Sequence, residues 1–247
     1  MVTVRHTIMN PSFAWTALYA VAVSLLALSC GGDSDEPLFD PTRADELTHA
    51  ALIAPDDLPG PFWTITGEDN FDEIEVSVLR AHEACGPLVS WRESAAGTAE
   101  RIAGKAKREM DQQAGANAEV QVEITAYDGD SGLEDLLEEW KGLVSDGSLL
   151  ACLSEVLPAA TNNAQFTLTA SAPSTEAPAG GAAYADDRSL PSPGGPVMLH
   201  AEWYIWVMGN VVIELEVYGP EARFDPELPR QAIEKLSAAV EEASKAQ

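Results

Sequence analysis

The sequence predicts an α+β fold in which helices accompany an antiparallel β-sheet, and three observations lead there. Segments 120–126, 166–170, 197–208 and 211–218 alternate residue character with a period of two, the signature of strands. Segments 99–110, 133–144 and 228–240 instead repeat apolar residues every three or four positions, as amphipathic helices do. The 247 residues are 46% hydrophobic and include six Trp, so residues 46–247 suffice for a single domain around its own core.

Taken in order, residues 33–75 carry thirteen acids and one base, Arg43. Pro55, Pro59 and Pro61 make this lead-in irregular, with Phe62, Trp63 and Ile65 as its expected anchors on the core. Ala99, Ile102, Ala103, Ala106 and Met110 then predict one face of a helix ending near Gly115, with Arg101, Lys105 and Arg108 pointing elsewhere. Val122, Ile124 and Ala126 alternate with Gln121, Glu123 and Thr125, a strand with one wet face. After the turn at Asp128-Gly129, the Ser131-x-x-Glu134 spacing reads as a capping box opening a helix faced by Leu133, Leu136, Leu137, Trp140 and Val144. Helix resumes over 149–157 with Cys152. A strand carries Phe166, Leu168 and Ala170, and residues 172–182, rich in Pro, Gly and Ala, form a loop. The chain closes on a helix started by Asp225-Pro226, with Leu228, Ile233, Leu236 and Val240 on one side.

The strongest hairpin signal joins 197–208 to 211–218. Odd positions are apolar in both runs: Val197, Leu199, Ala201, Trp203, Ile205 and Val207, then Val211, Ile213, Leu215 and Val217. Placing all of them on one core face requires a three-residue connection, Met208-Gly209-Asn210, with Val207 opposite Val211. A two-residue turn would set Trp206 beside Ile213 instead. The three-residue register sets Glu202 against Glu216, an unfavourable like-charge pair. It also displays His200, Glu202, Tyr204, Trp206, Glu214 and Tyr218 on the other face, a candidate surface for a cationic or apolar ligand. The plainer reading has a loop over 172–190 fold across these residues, with the acids at its rim.

Fourteen Lys and Arg against forty Asp and Glu give a net charge of −26, which excludes nucleic acid as a partner. Residues 1–29 contain one cation, Arg5, and no acid, and run through an apolar stretch to Cys30, as an export signal does. The sequence Leu26-Ala27-Leu28-Ser29-Cys30 resembles the lipobox of bacterial lipoproteins, although Ala27 stands where Leu is commonest. That resemblance implies a signal peptide over 1–29, a diacylglyceryl group on Cys30 and attachment to the membrane with the domain facing the extracytoplasmic side. An uncleaved anchor over 7–29 places the domain outside equally. Residues 30–45 then form a flexible acidic tether. The mature chain, without Arg5, carries −27 and is repelled by an anionic surface, so the lipid must supply the attachment.

Cys85 and Cys152 remain as an even pair in an exported chain, and a disulfide is expected between them, two buried thiols being the alternative. No metal or cofactor motif is found: Asp128-x-Asp130 with Glu139 lacks the glycine of a calcium loop, and His82-Glu83 lacks a second His four residues on. No nucleophile elbow or phosphate loop occurs, so no catalytic residue is assigned.

The element order, with Asp57-Leu58-Pro59-Gly60 in the lead-in and Met208-Gly209-Asn210-Val211 at the hairpin, resembles extracytoplasmic lipoprotein and sensor domains such as those outside actinobacterial receptor kinases. The resemblance implies helices packed on one face of the antiparallel sheet, a groove between them and no catalysis. The expected function is a non-catalytic ligand-binding or sensing module whose partner is a small ligand or an envelope protein. An accessory envelope protein and an envelope hydrolase are the alternatives.

Overall fold

Seven antiparallel strands form one sheet in the order β1-β2-β3-β7-β6-β5-β4: β1 Trp63–Glu68, β2 Ile102–Gln112, β3 Glu119–Tyr127, β4 Thr167–Ser171, β5 Ala182–Leu190, β6 Val197–Met208 and β7 Val211–Pro220. The structure, a computed structural model, describes residues 41–68, 76–99, 101–113, 118–129, 132–160, 166–192 and 194–245. The export signal, Cys30 and Ser131 lie outside the described residues.

Among the described residues six α-helices accompany the sheet: α1 Pro41–Ala50, α2 Val76–Leu79, α3 Gly86–Ala99, α4 Leu133–Ser145, α5 Ser148–Ala160 and α6 Glu227–Lys245. The α+β class and the single domain are as expected, but helices cover both faces rather than one. On one side α1 and α6 bury Ala44, Leu47 and Leu236 against Met110, Val122 and Ile213. On the other, α3, α4 and α5 bury Leu88, Trp91, Leu137, Trp140 and Leu153 against Ile205 and Val212. Helix α1 takes in residues 41–45, assigned by sequence to the tether, because Ala44 is fully buried against the sheet. The approach is closest at Gly104, where an added Cβ would lie 2.5 Å from the Ala44 carbonyl carbon.

Local signals hold in several places. The Cys85–Cys152 disulfide forms, with Cα atoms 4.4 Å apart, and fastens the start of α3 to α5. Closing a loop with a sequence separation of 67 stabilises the fold by about 4 kcal/mol in the chain-entropy picture. At the start of α6 the Asp225 carboxylate accepts the Glu227 amide at 3.0 Å, as its position predicts. Helix α4 buries Leu133, Leu136, Leu137, Trp140 and Leu143 and begins after Gly132; the expected capping box falls on Ser131, outside the described residues.

Two expectations fail for non-local reasons. Residues 102–112, expected as helix, are strand β2, paired to β3 from Ile102↔Tyr127 to Asp111↔Glu119. Ala106, Arg108 and Met110 share one face. The Arg108 guanidinium escapes burial by reaching the Ile53 carbonyl at 3.0 Å and the Glu68 carboxylate at 2.7 Å, and this cation inside an apolar row masks the period of two. The hairpin closes through a two-residue turn, Gly209-Asn210, with Gly209 at φ +63°, so Met208 opposes Val211 and Trp206 opposes Ile213. This register sets Glu202 against Val217 and removes the clash with Glu216. With both faces covered, strand alternation no longer says which side is the core.

Candidate functional site

The two-residue turn divides the six residues of the expected ligand face. His200, Glu202, Tyr204 and Trp206 face the α6 side, whereas Glu214 and Tyr218 face the side of α3, α4 and α5. The first four are not an open surface. Glu202, Tyr204 and Trp206 are buried and His200 is half-buried, beneath the loop at 172–181, the covered arrangement of the plainer reading. Glu202 lies at its centre rather than at a rim. Its carboxylate accepts the Ser174 amide at 2.6 Å, the Ser174 hydroxyl at 2.8 Å and the Tyr204 hydroxyl at 2.5 Å. Gly181 lets the loop pass, since a Cβ there would lie 2.9 Å from that of Trp206.

His200 completes this clamp, with Nδ1 2.7 Å from Asp187 and Nε2 2.9 Å from Glu202. Hydrogen bonding to Glu202 first, and to Asp187 as well, raises its pKa above 6.5 against the effect of burial. Burial pushes Glu202 up, but bonds from His200, Tyr204 and Ser174 outweigh it and hold the carboxylate below its ordinary value. Ser174 bonds to Glu202 rather than to His200, and both ring nitrogens are committed to carboxylates. The group therefore fastens a loop and does not constitute a nucleophile with its base.

The opposite face carries the less ordinary chemistry. Cross-strand pairing lines up Glu109, Gln121, Glu216, Trp203 and Tyr184 in one row, and Asp111, Glu119, Tyr218, Ala201 and Asp186 in the next. Arg188 grips Asp186 through Nε at 2.5 Å, lies 4.9 Å from the Trp203 ring centre and stands 3.7 Å from Glu216. Trp203 stacks on Tyr184 and donates its indole N–H to Glu216 at 2.5 Å. Burial raises Glu216 well above 4.5 and pushes Glu119 up to about 9, with Glu109 and Asp111 adding repulsion at Glu119. Burial raises Glu109 and Asp111 as well. Tyr218 donates to Glu119, while Glu214 stands across from Glu123, whose carboxylate holds Lys105 at 2.7 Å and Lys107 at 2.6 Å.

A cavity of about 320 Å³ opens at the α6 side of the same strands, lined by the 59–63 loop, Gln112, Ala118, Arg223, Asp225 and Leu228. Of the three expected anchors only Trp63 is buried, while Phe62 is 65% and Ile65 43% exposed. Phe62 sits at the cavity with φ +69°, a backbone conformation costly for a bulky side chain. The loop is pinned in that state: Trp63 Nε1 donates to the Pro59 carbonyl at 2.8 Å, Gln112 Nε2 to that of Pro61 at 3.3 Å, and the Gln113 amide to that of Phe62 at 3.2 Å. The three prolines mark this loop in the sequence; the strain at Phe62 has no signal there.

No protein-family model matches this chain, and no curated protein is similar to it in sequence. Among solved structures it is similar to the extracellular domain of PknH from Mycobacterium tuberculosis, at 10% identity and a TM-score of 0.45, over 82% of this chain and 97% of that one.

Proposed function

We propose that the protein is a lipid-anchored, extracytoplasmic binding module without catalytic activity, which takes a small, largely apolar ligand into the cavity beside Phe62. The observation that carries this reading is Phe62 itself. A large aromatic left in water, on strained backbone, at the mouth of a cavity is an arrangement the fold has no use for by itself. The cavity volume falls at the lower end of the range for small-molecule sites, about 300–1,000 Å³. Pro59, Pro61, Trp63 and Leu228 offer apolar contact, and the Gln112 amide a polar handle. The signal-like start, the lipobox-like run to Cys30 and the Cys85–Cys152 disulfide support an extracytoplasmic address.

A second reading, an accessory protein that binds another envelope protein, draws on β1. This edge strand leaves Thr64, Ile65 and Thr66 exposed for strand addition. A thermal-shift screen of small aromatic and aliphatic compounds against the full chain in mild detergent separates the two. Binding in the cavity raises the midpoint for wild type and not for Phe62→Ala. A screen with no shift, joined to a photo-crosslinker at Ile65 that captures one specific protein, replaces the first reading with the second.

A further inference from the structure

We propose that the end of the sheet carrying Phe62, Val197 and Met198 is a membrane-contacting surface, on which the domain rests against the phospholipid bilayer that holds its anchor. Strand pairing defines this end. Trp63 stands opposite Gln112, the Gln112 amide donates to the Ala118 carbonyl at 2.9 Å, Glu119 opposes Tyr218, and Leu199 opposes Pro220. The β5–β6 hairpin projects past that row, with Leu190 paired to Val197 beyond Leu199. Among the described residues five large hydrophobic side chains are exposed, and four of them stand close to the row: Phe62, Ile65, Val197 and Met198. Apolar and aromatic side chains displayed in this way bind a bilayer by burying their area at headgroup level.

The second observation is charge. Residues 58–67 and 189–199 contain no Asp, Glu, Lys or Arg, although such residues make up 22% of the chain, so this end differs from the rest of the molecule. Gln112 and Thr167, at the neighbouring ends of β2 and β4, are uncharged as well, and Glu119 is buried. Glu221, Arg223 and Asp225, one cation between two acids, follow β7 on the side of α6. A chain of net charge −26 is repelled by anionic headgroups, and the repulsion is least where its surface is neutral. The opposite end is charged: Arg101 donates to the Asp128 carbonyl at 3.0 Å, and α1 enters there with Arg43, Asp45 and Glu46.

The third observation is reach. Ala44 meets β2 at Gly104, eight residues from Gln112, so the chain enters about 27 Å from the neutral end. The eleven residues from Cys30 to Pro41 span up to about 36–40 Å. An anchor at Cys30 therefore leaves enough chain for the domain to set its neutral end on the same membrane.

The inference rests on the anchored reading above and not on the ligand of the cavity. The test is NMR of the full chain in nanodiscs of phosphatidylcholine and phosphatidylglycerol that contain a headgroup-spin-labelled lipid. The amides of Phe62, Gly195 and Met198 are expected to broaden severalfold more than those of Gly132, Glu134 and Asn210 at the opposite end. Val197→Asp combined with Met198→Asp, at exposed positions, abolishes the difference with an unchanged far-UV spectrum. A chain that co-elutes with the disc but broadens equally at both ends, or more at Asn210, overturns the proposal and leaves the anchored reading standing. A wild-type difference that survives the two aspartates also overturns it. A chain that does not co-elute with the disc overturns the anchored reading and the proposal together.

Discussion

The hydroxyl of Tyr218 on β7 donates to the carboxylate of Glu119 on β3, and the two residues stand directly opposite each other in the register of those strands. The contact gives a buried acid, pushed up to about 9 by its surroundings, a donor from the neighbouring strand. Tyr218→Phe keeps the ring and removes that donor. The expected loss is about 1–3 kcal/mol, the cost of leaving a buried acceptor unmet. Urea denaturation reads it as a lower midpoint at constant slope, and an unchanged midpoint contradicts the assignment.

Phe62 predicts stability and binding moving in opposite directions. Phe62→Gly relieves a positive φ that costs about 1–3 kcal/mol and gives up little buried surface, since the ring is mostly exposed. The expected variant unfolds at higher urea concentration than wild type and shows no midpoint shift with compounds that stabilise wild type. A destabilised variant that still responds to them contradicts both parts.

The clamp on the 172–181 loop has a pH window. The folded pKa of His200 lies above 6.5, so its contribution is complete below 6.5 and is lost as pH rises through the folded value. Glu202 has the opposite sign: its contribution is complete above 4.5 and is lost as pH falls through its lowered folded value. The loop is therefore held most firmly between about 4.5 and 6.5. Hydrogen exchange at the Ser174 amide, which Glu202 accepts, reports it after correction for the intrinsic rate. Protection falls on the alkaline side in wild type, and His200→Gln flattens that limb; equal slopes in both proteins would exclude His200 as the cause.

Gly104→Ala tests the packing of α1. The added methyl meets helix backbone at Ala44 and Asp45, which cannot rotate aside, so α1 must move off β2. We expect a loss of about 1–3 kcal/mol, the range of overpacked cores, measured by urea denaturation. A neutral effect would mean that α1 is not seated on the sheet as described.

What the sequence disclosed was what short-range chemistry decides. The period of two over Val120, Val122, Ile124 and Ala126, the apolar stripe from Leu133 to Trp140, the Asp225 cap and the pairing of Cys85 with Cys152 each rest on a local pattern or a compartment argument. Strand β2 stayed hidden because Arg108 occupies an inward row and is satisfied by Ile53 and Glu68, far away in sequence. The hairpin register stayed hidden because both faces are covered, Trp206 being buried on one and Ile205 on the other. The acid cluster was lost through the β2 reading. Glu109-x-Asp111 and Glu119-x-Gln121 flank one connection, and taking the first pair as helix separated residues that a hairpin brings together. The cavity was legible only as a proline-rich loop.

The proposed binding role depends most on display of this domain outside the cytosol through Cys30. Mass spectrometry of the chain purified from the membrane fraction of expressing bacteria tests this directly. We expect a chain that begins at Cys30, carries the added mass of a diacylglyceryl group and leaves the membrane fraction when Cys30→Ala is introduced. A chain beginning at Met1, without lipid and recovered in the soluble cytosolic fraction, would contradict it.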